Sequence, residues 1–224
     1  MSPLPHTGEL LYSCIQHMDD LIARLEELPL SGSDLTEMSN KLGVVNTRFV
    51  QYADLRDESL DTLFAGACCV YILFEIVDKS GMAQKIGHWA VLIKSGVPTS
   101  PRLVYYDPYG LTVSEDLKLS GAGRLGPGGT TGESPWLERI LRGHKVDVNT
   151  RRHQRFRDET NTCGRHTVVR SLFHFMSNRQ YDDLVIKGVK MHVDTADTFV
   201  SLLTGFLADT DDVIQTFFKA RVTS

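Results

Sequence analysis

Three runs decide how this chain folds: GACCVYILFEIV at residues 66–77, GHWAVLIKS at 87–95 and RLVYYDPYG at 102–110. Each is short, rich in β-branched and aromatic residues, and bounded by glycine, proline or polar residues, which is the signature of strands separated by turns. The first two are apolar almost throughout and read as buried strands. A further strand is expected at His144–Asn149.

Outward from this block the period changes to that of helices. Upstream, Leu11, Cys14, Ile15, Met18, Leu21, Ile22 and Leu25 recur at spacings of three and four, and Pro29 ends the stripe. Ser33 and Asp34 are placed to cap a second helix through Leu42, with Glu37 in capping-box register. The region up to about residue 60 therefore reads as a helical preface. Downstream, Pro135–Arg142 predicts a short helix. A helix opening at Cys163 carries Val168, Leu172, Phe175 and Met176, and amphipathic helices are expected at 193–208 and 210–221. Between the two halves, residues 118–135 hold glycines at 121, 123, 126, 128, 129 and 132, which predicts a flexible loop. Helices, then strands, then helices in one chain predict an α+β fold in a single domain spanning 1–224, with a helical region at 1–60, a core at 61–180 and C-terminal helices at 181–224.

Composition bounds the function. With 224 residues, 42% hydrophobic and 23% charged, the chain is long enough to bury about 70% of its unfolded surface, and it falls outside disordered, collagenous and repeat classes. Twenty-four Lys+Arg against 28 Asp+Glu give −4, so any polyanion contact has to be local. No apolar run approaches the roughly 20 residues that span a bilayer, and MSPLPHTGEL lacks a basic n-region followed by an apolar core, so a soluble, intracellular protein without membrane partners is expected. The cysteines, at 14, 68, 69 and 163, form no ladder of spacings, which predicts free thiols in a reducing compartment.

Four residues at the edges of the expected elements carry the chemistry: His88, Asp107, Gln154 and Cys163. A thiol becomes a nucleophile when an imidazole takes its proton, and the imidazole needs a carboxylate to fix its tautomer. Cys163 differs from Cys14, Cys68 and Cys69, which lie in apolar stripes, because its neighbours Asn161, Thr162, Gly164 and Arg165 are polar. A helix starting at Cys163 adds its positive end and a backbone N–H for an oxyanion. Gly164 permits close backbone approach, and Gln154, nine residues earlier, is a candidate second donor with Asn161 as the alternative amide. Cys163 and His166 form a C-x-x-H pair, but the adjacent Cys68 and Cys69 are expected to point to opposite faces of a strand, so no metal site is expected. RRHQRFR at 151–157 places Arg151, Arg152, Arg155 and Arg157 around Phe156, which reads either as a solvated loop or as a polyanion-binding patch.

The order His, Asp, Gln, Cys, the pair His88-Trp89, the stretch Tyr106–Gly110 and Cys163-Gly164 at a helix start resemble the adenain and SUMO-protease superfamily of cysteine proteases. LGVVNTRFVQYADL at 42–55 and the DPYG turn are more similar to the adenain-like viral maturation proteases. The resemblance covers roughly residues 40–180. It implies a mixed β-sheet flanked by helices and a Cys-His-Asp triad with a Gln oxyanion donor. It also implies a cleft bordered by Trp89 and Gly164 that admits glycine-containing sites in viral capsid or core precursors, in an infected cell and its virions. No cofactor is required on this reading, although DNA or a viral peptide is an expected activator, and a monomer is expected. Two alternatives stay open: a deSUMOylase or deubiquitinase acting on host conjugates, and a non-enzymatic nucleic-acid-binding or structural protein built on the arginine loop.

Overall fold

The expected strands pair into one five-stranded sheet in the order β1-β2-β3-β4-β5, formed by β1 (Thr47–Gln51), β2 (Cys69–Val77), β3 (Ala83–Val97), β4 (Ser100–Tyr106) and β5 (Val146–Val148). The central pairs β2–β3 and β3–β4 are antiparallel, whereas β1 and β5 run parallel to their neighbours, so the sheet is mixed. The computed structural model describes residues 7–44, 46–77, 83–97, 100–120, 135–157 and 160–208.

Alternation along the strands sends side chains into two cores. Val70, Ile72, Phe74, Ala90, Leu92, Leu103 and Tyr105 pack on one face against α3 (Leu60–Leu63), α4 (Val113–Ser120), α5 (Trp136–Leu141) and the 3₁₀ turn Tyr52–Asp57. Tyr71, Trp89, Val91, Ile93, Val104 and Tyr106 pack on the other face against α2 (Gly32–Lys41), α6 (Cys163–Leu172), α7 (Asn178–His192) and α8 (Ala196–Ala208). Helices on both sides explain why the first two runs are apolar throughout. The expected α+β class holds, as a mixed sheet between helical layers.

Several boundaries differ from the sequence reading. The first helix, α1 (Thr7–Glu27), matches its stripe. The second is capped by Ser31, in a capping box with Asp34, rather than by Ser33 or Asp34. The preface is not wholly helical, because Thr47–Gln51 forms an edge strand whose pairing partner, β2, lies about twenty residues on. The Cys163 helix stops at Leu172, and α7 occupies residues that the helical spacing did not separate. The glycine-rich stretch at 121–134 and the helix expected at 210–221 lie outside the described residues. Among the described residues no helix is long and apolar enough to cross a membrane.

Candidate active site

The YYDPYG turn at the end of β4 builds the first half of the site. Asp107 is fully buried and uses its two carboxylate oxygens differently. Oδ1 accepts the backbone N–H groups of Tyr109 (2.8 Å) and Leu111 (2.9 Å), which makes the turn, and Oδ2 bonds directly to His88 Nε2. The residue thus serves as turn former and imidazole partner at once. Asn149 clamps its backbone, accepting from Asp107 N–H at 2.8 Å and donating to Asp107 O at 2.7 Å. Gly110 is required here: its φ is +75°, and a Cβ would stand 2.8 Å from the Arg151 carbonyl carbon.

His88 enters from β3, paired opposite Phe74, with its side chain 5% exposed. With Nε2 engaged by Asp107, Nδ1 remains for another partner, and Cys163 lies close enough to the ring to act on its titration. Burial alone would lower the His88 pKa, but the charge and hydrogen bond of Asp107, joined by Cys163, outweigh it and hold the ring well above its ordinary value. Cys163 is the first residue of α6, whose first turn contains no acidic residue, and its N-cap Thr162 turns its hydroxyl away to donate to Asp197 Oδ1 at 2.5 Å. The helix N-terminus beside the sulfur therefore keeps unpaired amides and its positive dipole end.

Gln154 is buried in the segment leading to Cys163, and its amide N–H, with that of His153, donates to Pro108 O at 2.9 Å, one residue from Asp107. Its Nε2 donates to Thr160 O at 3.1 Å, which leaves one of its two hydrogens for a further acceptor. The alternative amide is committed elsewhere, since Asn161 Nδ2 donates to Glu27 O and its backbone N–H to Glu26 O, both at 2.7 Å.

Trp89 and Gly164 occupy positions unlike those expected of groups bordering an open cleft. Trp89 faces away from His88, as its neighbour on a strand must, and is buried with Nε1 donating to Leu30 O at 2.9 Å. The exposed Phe49 ring lies 5.3 Å from it. A Cβ at Gly164 would stand 3.0 Å from Leu35 and 3.2 Å from Leu30, so its smallness lets the segment before α2 dock on α6. The group that covers His88 is Tyr109, stacked at 4.7 Å between ring centroids. Phe156 stacks on Tyr109 at 4.2 Å and Arg152 lies 5.2 Å over Phe156, so a tier of three groups rises from the histidine to solvent.

The arginine cluster divides. Arg155 is turned inward, bonding Asp197 through its backbone N–H (3.0 Å) and Nε (2.9 Å) and Glu26 through Nη2 (2.5 Å). Arg151 pairs with Asp182 at 3.7 Å, and Arg152 and Arg157 remain exposed. A polyanion patch of all four arginines is thus not what these residues form.

One buried group escaped the sequence reading. Asp116, in the first turn of α4, accepts the Tyr105 hydroxyl on Oδ2 and brings Oδ1 within 3.6 Å of His88 Nε2. Burial raises its pKa to about 8, the charge of Asp107 adds to the rise, and His88 opposes it. An Asp in VSEDLKLS has no local mark that distinguishes it from a solvated helix acid. His88, Asp107 and Asp116 each offer a ligand atom within 4.8 Å of the others, but the direct bond between His88 and Asp107 closes the space an ion would need between them. The trio fits shared protons better than a metal. No family matches the chain, and no curated protein matches it.

Proposed function

We propose that this chain is a cysteine endopeptidase of the adenain and SUMO-protease type. The observation that carries the reading is that His88, on β3, bonds Asp107, in the turn after β4, and that Cys163, the first residue of α6, lies close enough to His88 to help hold its pKa up. The Cys163 sulfur, its proton held by His88, attacks the scissile carbonyl carbon. The resulting oxyanion is stabilised by the Cys163 backbone N–H and the second hydrogen of Gln154 Nε2. His88 then gives its proton to the leaving amine, and water activated by the same ring hydrolyses the thioester, while Asp107 holds the imidazole in one tautomer throughout.

The substrate class proposed is viral capsid or core precursors cut at glycine-containing sites. The resemblance of the ordered set His88, Asp107, Gln154 and Cys163 to that of the maturation proteases is what supports it. Activation by DNA, on this reading, falls to the exposed Arg152 and Arg157. Reaction with a peptide vinyl sulfone, followed by mapping of the labelled peptide, tests the reading: the label is expected on Cys163 and absent from His88→Ala. A chain that stays unlabelled and cleaves neither glycine-containing peptides nor SUMO or ubiquitin conjugates overturns it, and cleavage of the conjugates alone assigns the same residues to deconjugation.

A further inference from the structure

The proposed catalytic set leaves an adjacent pair of thiols unused. Cys68 and Cys69 stand where β2 begins, and their sulfurs are 3.8 Å apart. This departs from the expectation that the two point to opposite faces. The reason is local: Cys68 precedes the first residue of the strand, with its N–H donating to Asn46 O and its carbonyl accepting from Lys94 N–H, both at 2.8 Å, and it packs with Cys69 on the same core. Cys69 is fully buried. Cys68 stands in the wall of a surface cavity of about 520 Å³, with Lys94, Ser95, Gly96, Arg102, His174 and Phe175.

The lining holds three basic side chains and no acidic one. Arg102 is fixed there by donating Nη2 to Phe175 O (2.6 Å) and Ser95 Oγ (3.3 Å), and its Nε is buried without a hydrogen-bond acceptor. A concave site that Cys68 helps to wall, with Lys94, Arg102 and His174 and no acidic residue in its lining, is complementary to a small anion that reacts with thiols.

We propose that Cys68 is a modification site that captures a small anionic thiol from its disulfide in the cavity of Lys94, Arg102 and His174. The Cys68 thiolate attacks one sulfur of the incoming disulfide, so that a Cys68–S–S bond forms as the reagent's own S–S bond breaks. The departing thiolate carries away the bonding electron pair and takes up a proton, and the two electrons lost by the protein sulfur equal those gained by the reagent. Cys69 assists as a donor: its thiol is pushed up, first by its bond to Cys68 and then by burial, and stays protonated. Cys68 is drawn down by that same bond and by His174, against burial.

The inference is independent of proteolysis and is tested on the full chain carrying Cys163→Ala, with the wild-type chain mapped in parallel. Oxidised glutathione is the anionic probe and hydroxyethyl disulfide the neutral one. Peptide mapping is expected to place the glutathione adduct on Cys68 ahead of Cys14, at a rate about tenfold above that of the neutral probe. That advantage should shrink in about 1 M salt and in the double variant Lys94→Gln/His174→Gln, and Cys68→Ser should lose the adduct. Equal rates with the two probes, an adduct that favours Cys14, or loss of two hydrogens through a Cys68–Cys69 disulfide would overturn it.

Discussion

Asp116 Oδ1 lies 3.6 Å from His88 Nε2, the nitrogen that bonds Asp107, so two buried carboxyl groups converge on one edge of one imidazole. Two adjacent carboxylates cannot both ionise cheaply in such a place, and the raised pKa of Asp116 marks it as the one that keeps its proton.

That assignment fixes a pH dependence. A carboxyl raised from 3.8 to about 8 contributes stability that is complete below 3.8 and lost as pH climbs through this window, because only the unfolded chain has released the proton. His88, raised above 6.5, acts in the same direction from 6.5 upward. Stability should fall between pH 6.5 and 8. In Asp116→Asn the slope should be shallower by up to about 1.4 kcal/mol per pH unit. Urea unfolding at stepped pH measures it, and identical slopes in both chains would refute the shared proton.

Asp107→Asn keeps an oxygen for the Tyr109 and Leu111 amides but removes the charge facing His88. The turn should survive and kcat should fall by roughly 10²-fold or more, with KM little changed. Steady-state kinetics on a peptide substrate, with circular dichroism to verify folding, decides the matter.

Gln154→Ala should cost roughly 10²-fold in kcat if its second amide hydrogen meets the oxyanion. Asn161→Ala should instead lower stability with kcat preserved, since its side chain ties the loop to the end of α1. A reversal of these two outcomes would exchange their roles.

Tyr109→Ala should free the His88 ring to rotate and lower kcat by about tenfold, and Tyr109→Phe should restore it, because the stacking and not the hydroxyl is what covers the ring. Equal loss in both variants would place the effect in the hydroxyl.

Asp197 accepts from Thr162, His166 and Arg155, and these bonds, chiefly those of His166, overcome burial to hold its pKa at about 2. Its contribution is present above 3.8 and disappears as pH falls toward 2. Asp197→Ala removes the shared acceptor of Thr162, His166 and Arg155, although Arg155 keeps Glu26, and should cost about 1–3 kcal/mol in urea unfolding at neutral pH. Arg155→Ala should likewise unfold the chain more easily without altering any salt-dependent effect of DNA, whereas loss of such an effect with folding intact would return Arg155 to the surface patch.

The sequence made legible those features whose cause is local. Short runs rich in β-branched and aromatic residues between turn signals announced β2, β3 and β4, and polar neighbours singled out Cys163 from the other thiols. Asp107 was legible because DPYG is a turn whichever way its side chain faces. What escaped depends on distant partners. TRFVQ at 47–51 is a strand only because β2 offers it an edge. Asp116 is buried only because Tyr105 and His88 come to it. Arg155 was grouped with its basic neighbours because Glu26 is far away in sequence, and Tyr109 was passed over because, as part of the DPYG turn, nothing local marks its ring as the one that stacks on His88.

His88 hangs from the sheet face that packs α3, α4 and α5, whereas Cys163 belongs to the layer of α2, α6, α7 and α8. The proposed nucleophile and base are thus contributed by opposite sides of the sheet, so bringing them together requires both helical layers in place. Loosening either helical layer alone is therefore enough to part the proposed pair.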